Sequence, residues 1–331
     1  MTTSDMRPDP ARTHGRIAFV LPVYNEAAGI AVFHETLART VEQLDAHELV
    51  FVYVDDGSSD ASLTELLRLR EGDPRISVIG LSRNFGHQMA VTAGLDAVDA
   101  DAVIIMDTDL QDPPAVCLEL VERWQEGADV VYAQRRTRDD TLFKKTSADV
   151  FYRLLARASS IEIPRNTGDF RLMDRKVVDE TARYREHNRF LRGLVSYVGF
   201  RQEAVLFDRD RRYAGSTGYP LKKMIRFAGD GIFSFSTLPL TVISRVGFVF
   251  SFLSVIGAVY ALVVRIATPE NAVPGWAFLA IVLLLIGGIQ ITMLGILGGY
   301  LGRVYKEVQN RPLYAVALRA GDPAAGERAD E

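Results

Sequence analysis

The residues with the clearest potential for chemistry are two aspartates one residue apart, Asp107 and Asp109, followed by Gln111. Carboxylate oxygens are ligands that Mg²⁺ and Mn²⁺ prefer, and substrate phosphates often complete such a site. Asp-x-Asp is a short motif, however, and a solvated turn whose aspartate caps the next helix is a simpler explanation. The neighbouring segments must therefore decide between a cation site and an ordinary turn.

An apolar run, Val103–Met106, leads into the two aspartates and predicts a buried parallel strand. Similar runs at 17–23, 49–54, 76–81 and 129–133 alternate with helical patterns. This alternation predicts an α/β fold with a doubly wound, mostly parallel sheet. Ligands bind at the carboxyl ends of the strands in such sheets, so we expect three polar turns to meet there.

Composition divides the chain into a soluble part and an apolar C-terminal part. The net charge of −4 over 331 residues gives no indication of a nucleic-acid partner. The single cysteine, Cys117, excludes an intramolecular disulfide and fits a reducing compartment. Residues 1–16 are polar, and we expect them to be disordered; they lack the apolar core of a signal peptide, so we expect the catalytic part to stay in the cytoplasm. Residues 319–331 have a similarly disordered composition.

Two uncharged stretches, 246–264 and 277–301, are each long enough to cross a bilayer, which takes about 20 residues. Basic residues precede the first and follow the second, whereas the loop at 266–275 has one acidic and no basic residue. The positive-inside rule then puts both ends in the cytoplasm. We predict two transmembrane helices within 238–303, a short extracytoplasmic loop, and a cytoplasmic tail at 304–331.

Two further patterns bear on the membrane and on assembly. Residues 219–233 combine an apolar stripe with basic residues directly before the first stretch, which predicts a juxtamembrane amphipathic helix within 216–237. Residues 141–161 show a similar pattern, for which packing on the protein core is equally open. Two Gly-x-x-x-Gly pairs, 295/299 and 298/302, permit close helix packing, and we hypothesise a homo-oligomer.

The polar turns carry a family resemblance. They read Pro-Val-Tyr-Asn-Glu (22–26), Val-Asp-Asp-Gly-Ser-Ser-Asp (54–60) and Asp-Thr-Asp-Leu-Gln-Asp-Pro-Pro (107–114). With Arg-Asn-Phe-Gly-His-Gln (83–88) and Asn-Thr-Gly-Asp-Phe-Arg-Leu (166–172), they resemble the family 2 glycosyltransferases with the GT-A fold. The last two motifs, together with the two uncharged stretches at 246–264 and 277–301, narrow the resemblance to the polyprenyl-phosphate glycosyltransferases, which include bactoprenol glucosyltransferase and dolichol-phosphate mannose synthase. It implies a cytoplasmic GT-A catalytic domain at 17–215.

The resemblance also implies roles for individual residues. Asp56 would contact the nucleotide base. The full set of residues that would bind the nucleotide sugar is Pro22, Tyr24, Glu26, Val54, Asp56, Asp107, Thr108, Asp109 and Gln111. A Mg²⁺ or Mn²⁺ ion would be held by Asp107, Asp109 and Gln111. Asp112 is expected to cap the next helix instead. The catalytic residues would be Asp109, Arg135 and Asp169.

Two of these assignments, those of Arg135 and Asp169, have open alternatives. Arg135 suits bidentate phosphate recognition, but it also fits a solvated arginine cluster. Asp169 stands where relatives have a proposed general base. A lipid phosphate has a second pKa of about 6, however, so Asp169 could equally position the sugar or the phosphate. A lone histidine such as His87 is more often structural than a substrate contact.

The acceptor phosphate would be bound by Arg135, Arg212 and Lys222. Arg212 matches the arginine of the relatives, but Gly218 stands where they usually have a lysine. Lys222 or Lys223 would have to replace that lysine, or one phosphate contact is lost.

These features together predict a membrane-bound inverting glycosyltransferase of the bacterial inner membrane, with its catalytic domain in the cytoplasm. It would move a hexose, with glucose from UDP-glucose as the best candidate, to undecaprenyl or another polyprenyl phosphate. A GDP-mannose-dependent mannosyltransferase and a family 2 enzyme acting on another glycolipid or polysaccharide are alternatives. A non-catalytic sensor of nucleotide sugars is a third, against which the intact Asp107 and Asp109 argue.

Overall fold

The structure is a computed structural model that describes residues 12–136, 167–208 except 188, part of 243–263, and 276–323. The chain forms two compact units, one of residues 1–152, 161–219 and 312–331 and one of residues 153–160 and 220–311. The predicted amphipathic segment at 219–233 lies outside the described residues, as do Arg212 and Lys222. The same holds for the pattern at 141–161.

The first unit is built on an eight-stranded sheet. Its strands are β1 (Arg16–Val23), β2 (Glu48–Asp55), β3 (Ile76–Leu81), β4 (Ala102–Ile105), β5 (Val130–Arg135), β6 (Thr167–Asp174), β7 (Gln202–Phe207) and β8 (Val316–Ala320). The spatial order is β7-β5-β6-β4-β1-β2-β3-β8. Four neighbouring pairs are parallel, whereas β6 runs antiparallel to β4 and β5, and β8 runs antiparallel to β3. The predicted α/β class with a mostly parallel sheet is therefore confirmed.

Helices cover both faces of the sheet. They are α1 (Ile30–Val41), α2 (Ser62–Gly72), α3 (His87–Ala97), α4 (Val116–Gln125), α5 (Arg175–Ala182) and α6 (Leu191–Val198). One apolar core lies between the sheet and α1, α2 and α4, and the other lies between the sheet and α3, α5 and α6. The central strands are apolar on both faces because each face packs against helices.

Strand β6 was not predicted as a strand. It brings Asp169 and Arg171 between β4 and β5, with Ile105 paired to Arg171 on one side and Tyr132 on the other. Phe170 and Leu172 join the core of α1, α2 and α4, so the alternating Asp169 and Arg171 point to the opposite face. Strand alternation thus turns two charged side chains toward α3 and α6.

Order extends further at both ends than the sequence predicted. Arg16 belongs to β1, and the Arg12 guanidinium donates to the carbonyl oxygens of Trp124 and Ala128 at 2.7 and 2.8 Å. Arg12 also pairs with Asp129, at 3.2 Å. At the other end β8 closes the edge of the sheet beside β3, although Arg319 and Ala320 were expected to be disordered. Pairing with β3 satisfies backbone groups that a free tail would leave to water.

The second unit contains one long described helix, α7 (Trp276–Val308). Its segment Leu285–Val308 contains an 18-residue window with a mean hydropathy of 1.5 and, by length and composition, could cross a membrane. Leu294 and Leu297 are among its exposed apolar side chains. The other predicted span, 246–264, is described only in part, and the residues described there are helical. Among the described residues one candidate span is therefore found, not the two that were predicted.

Candidate active site

The carboxyl ends of β1, β2 and β4 meet at one edge of the sheet, as the sequence predicted. The strands are parallel neighbours, so the turns that follow them lie side by side. The Thr108 hydroxyl donates to the Pro22 carbonyl oxygen at 3.2 Å, which joins the turns after β4 and β1. The Asn25 carboxamide oxygen accepts the Ser59 backbone N–H at 2.8 Å, which joins the turns after β1 and β2.

The predicted nucleotide-binding residues of the first two turns differ in accessibility. Tyr24 is 48% exposed, so its ring is free to stack with a planar group, whereas Pro22 and Val54 are buried. Glu26 is half-buried, and its backbone N–H donates to the Ser62 hydroxyl at 2.9 Å. Of these residues, Tyr24 presents the largest surface to a ligand.

Asp56 is buried and organises the loop that leads into α3. One carboxylate oxygen accepts the Phe85 backbone N–H at 2.7 Å, and the other accepts the Gly86 N–H at 2.9 Å. Burial raises the pKa of Asp56, and the two backbone hydrogen bonds oppose that rise. Both Asp56 oxygens thus accept hydrogen bonds from this loop. The contact between Asp56 and the nucleotide base stays a prediction.

Gly57 allows the turn after β2 to lie against that loop. Its φ of +65° is left-handed, and a Cβ atom at this position would come within 2.4 Å of the Arg83 carbonyl carbon. Glycine alone avoids both the steric cost of the left-handed region and the clash with backbone. The close approach holds Asp56 beside the amides that it accepts.

The proposed cation ligands lie in the turn after β4. The Asp109 carboxylate accepts the Gln111 backbone N–H at 3.0 Å, and the intervening Leu110 has a left-handed φ of 58°. Asp107 and Asp109 are half-buried, whereas Gln111 is buried. No cluster of three His, Cys, Asp or Glu side chains that could hold a metal occurs in the described part of the chain. Two carboxylates and an amide fit Mg²⁺ or Mn²⁺ if phosphate and water oxygens supply the remaining ligands.

His87, which the sequence favoured as a structural residue, lies between two of the candidate aspartates. Its Nε2 is 2.8 Å from an Asp107 carboxylate oxygen, and its Nδ1 is 3.7 Å from an Asp169 oxygen. Burial lowers the pKa of His87, but the hydrogen bond and charge of Asp107, with the charge of Asp169, outweigh it and raise the pKa overall. The imidazole thus links the turn after β4 to β6.

Asp169 is a buried carboxylate whose pKa is lowered by its neighbours. The carboxylate receives a hydrogen bond from Arg192 Nε at 2.8 Å and another from Gln88 Nε2 at 3.0 Å. Burial acts to raise its pKa, but the charge of Arg192 and the hydrogen bond from it, aided by His87 and Arg171, lower that pKa to about 2. Asp169 is therefore ionised at neutral pH and is a weak base.

Arg135 and Asp112 lie next to this cluster. A guanidinium nitrogen of Arg135 is 3.9 Å from an Asp112 oxygen, and a Cβ atom at Gly168 would lie 3.7 Å from that guanidinium. Asp112 is buried, and the N-cap of α4 is Ala115, without a side-chain cap. Asp112, which the sequence favoured as a cap, is therefore not the N-cap residue of this helix. Arg135 lies beside the residue that precedes Asp169, which suits its predicted place near the phosphates.

Sequence reasoning missed Gln88 and Arg192. Gln88 belongs to the motif at 83–88, but its role could not be read from the motif alone. Arg192 is 23 residues from Asp169 along the chain, and nothing in its local pattern indicates the contact.

The comparisons with known proteins define the class. Residues 18–181 match the model described as Glycosyl transferase family 2. The chain belongs to this family of glycosyltransferases, and its mixed, mostly parallel sheet is GT-A-like.

The chain is 47% identical to an uncharacterized glycosyltransferase, YkcC, of Bacillus subtilis (strain 168), over 93% of this chain and 95% of the relative. It is 39% identical to the bactoprenol glucosyl transferase of Shigella phage SfII, over 91% of this chain and 97% of the relative. The prophage bactoprenol glucosyl transferase homolog of Escherichia coli (strain K12) is also 39% identical, with coverages of 91% and 98%.

Among solved structures, the mannosyltransferase PcManGT from Pyrobaculum calidifontis, in complex with GDP-Man and Mn²⁺, is 16% identical with a TM-score of 0.42. That alignment covers 93% of this chain and 91% of the mannosyltransferase.

Proposed function

We propose that this protein transfers a hexose from a nucleotide diphosphate sugar to a polyprenyl phosphate. The observation that carries the proposal is the chain of contacts from Asp107 through His87 to Asp169 at the carboxyl edge of the sheet. The family membership supports sugar transfer at that edge. Relatives named bactoprenol glucosyl transferases favour UDP-glucose as the donor and undecaprenyl phosphate as the acceptor.

On this proposal the donor lies across the turns after β1, β2 and β4. The exposed Tyr24 ring would stack on the base, beside Asp56 and the remaining donor-binding residues of the first two turns. Asp107, Asp109 and Gln111 would hold Mg²⁺ or Mn²⁺. When bound, that cation supplies Lewis-acid stabilisation of the departing diphosphate.

The acceptor needs orientation more than deprotonation. A phosphate monoester has a second pKa of about 6 and is mostly ionised at neutral pH. Asp169, with its pKa lowered to about 2, has little capacity to take up a proton. We therefore assign Asp169 to positioning the sugar or acceptor, so that a phosphate oxygen attacks the anomeric carbon opposite the leaving diphosphate. Arg135 would stabilise negative charge there.

Membrane attachment completes the proposal, because a polyprenyl phosphate is confined to a bilayer. The apolar segment Leu285–Val308 supports attachment through at least one helix. The finer organisation is proposed from the sequence: a cytoplasmic catalytic domain at 17–215, two transmembrane helices within 238–303, and Arg212 and Lys222 on the acceptor phosphate. Assembly into a homo-oligomer is proposed on the glycine pairs, and a monomeric mass in mild detergent would contradict it.

The test is transfer by the purified full-length protein in detergent. Labelled UDP-glucose, Mg²⁺ or Mn²⁺ and undecaprenyl phosphate should give a labelled lipid, and a parallel reaction with GDP-mannose should give less. A lipid product from GDP-mannose alone would assign a mannosyltransferase, and a polymer would assign another acceptor. Binding of nucleotide sugars without any product would indicate a sensor and would overturn the proposal.

A further inference from the structure

We propose that Gln88 and Arg192 are positioning residues that hold the Asp169 carboxylate in one orientation for sugar transfer. This inference rests on the proposed function, since it assigns residues that act on Asp169 and not on the substrates. The argument comes from the contacts that converge on this carboxylate from three elements of the fold.

Arg192, the second residue of α6, holds both oxygens of Asp169. Its Nε donates to one oxygen at 2.8 Å, and one of its terminal nitrogens donates to the other at 3.4 Å. The other terminal nitrogen donates to the Thr167 carbonyl oxygen at 2.8 Å. Two contacts from a planar guanidinium fix the plane of a carboxylate, and the third anchors the guanidinium to β6.

Gln88, in the first turn of α3, completes the arrangement. Its side-chain nitrogen donates to Asp169 at 3.0 Å, while its side-chain oxygen accepts the Leu191 backbone N–H at 3.0 Å. Leu191 begins α6, where the N-cap residue Phe190 supplies no side-chain hydrogen bond. Only one orientation of the carboxamide satisfies both partners, so Gln88 ties α3, β6 and α6 together.

The other charged groups around Asp169 cannot take over this task. The Arg171 guanidinium donates to the backbone oxygens of Gly168 and Asp169, at 3.1 and 3.4 Å. His87 is 3.7 Å from Asp169, beyond a good hydrogen bond, and it already contacts Asp107 at 2.8 Å. Direct contacts with the Asp169 carboxylate therefore come mainly from Arg192 and Gln88 among the described residues.

Loss of either contact should reduce turnover more than donor binding. A displacement of about 1 Å in a group that orients substrate can lower a rate about 100-fold. The predicted donor contacts lie in the turns after β1, β2 and β4, so the KM for UDP-glucose should stay near its original value. A fall in kcat at an unchanged KM, in a variant that is fully folded, would therefore distinguish positioning from general damage to the fold.

The experiment compares variants of the full-length protein in detergent with UDP-glucose and undecaprenyl phosphate. Arg192→Met and Gln88→Met remove the contacts at similar side-chain length, and we expect kcat to fall about 100-fold and about 10-fold, respectively. Arg192→Lys keeps the charge and should retain more activity than Arg192→Met. Arg183→Met is the matched control, because Arg183 is an exposed helix-end arginine paired with Glu180 and should leave kcat unchanged.

Two further measurements exclude a merely structural role. Added guanidinium ions should partly restore kcat in Arg192→Met, since they can occupy the vacated place beside Asp169. In an Asp169→Asn background, Arg192→Met should cause little additional loss, because contacting residues that act as a unit are not additive. Arg192→Lys and Gln88→Asn, which keep the charge and the carboxamide respectively, serve as milder substitutions if the methionine variants do not fold.

Unchanged kcat in folded Arg192 and Gln88 variants would overturn this inference while leaving the proposed function intact. A full additional loss in the Asp169→Asn background would also overturn it. A wild-type protein that transfers no sugar to any lipid phosphate would instead refute the proposed function, and this inference with it.

Discussion

Replacing Gly57 by alanine tests whether the turn after β2 must lie against the loop that leads into α3. The new Cβ atom would lie 2.4 Å from the Arg83 carbonyl carbon and 2.6 Å from the Asn84 nitrogen. Both are backbone atoms, so no side-chain rotation relieves the clash. The left-handed φ of +65° costs an L-residue about 1–2 kcal/mol. Overpacking of a close contact typically adds about 1–3 kcal/mol.

The free energy of unfolding should therefore fall by about 2–5 kcal/mol in Gly57→Ala. The displaced loop would also move away from Asp56, which accepts its two amides, and would shift His87 at the start of α3. We therefore expect the KM for the nucleotide sugar to rise as well.

The assay is urea unfolding of the purified protein, followed by fluorescence, together with the KM for UDP-glucose. Gly72→Ala is the matched control, because a Cβ atom there meets nothing within 4 Å. Gly72 lies at the end of α2, where alanine should change stability by no more than about 1 kcal/mol. A Gly57→Ala protein with the stability of this control and an unchanged KM would refute the reasoning.

Three further predictions concern the cation, a buried histidine and the segment that leads into the C-terminal strand β8. Asp109→Asn should abolish transfer, and removal of divalent cations from the wild type by a chelator should do the same until Mn²⁺ or Mg²⁺ is restored. Circular dichroism should show that the Asp109→Asn protein keeps its fold. Asp45→Asn is the control, because Asp45 is exposed. An active Asp109→Asn protein would refute the cation assignment. Burial lowers the pKa of His34 below 6.5, so the unprotonated form stabilises the fold above pH 6.5 and that contribution is lost as the pH falls below it. Urea unfolding should show this loss as the pH is lowered from 6.5, and a His34→Gln variant with the same loss would contradict it. Tyr314→Phe removes the hydroxyl that donates to Asp96 at 2.8 Å, and the free energy of unfolding should fall by about 1 kcal/mol. An unchanged free energy of unfolding would show that this contact is not stabilising.

The amino-acid sequence by itself determined the fold class and the place of the site. Apolar runs alternate with helical patterns, and local hydrophobicity is enough to predict buried parallel strands. The strand at Ile76–Leu81 was predicted with its observed bounds. Because parallel neighbours bring their carboxyl ends together, the order of strands and turns along the chain is enough to predict that the turns bearing Tyr24, Asp56 and Asp107 meet.

Only the tertiary structure decided which side chains act on one another within that site. Asp169 became part of the site through antiparallel insertion of β6, a pairing between segments far apart in the chain that local patterns do not encode. The contact with Arg192 depends on where α6 packs, and the link between His87 and Asp107 depends on the turn after β3. The same holds for the end of β8, where Arg319 and Ala320 read as the start of a disordered tail but pair with β3. Hydrophobic periodicity specifies which face of an element is buried, whereas the neighbours of a polar group are fixed by long-range packing.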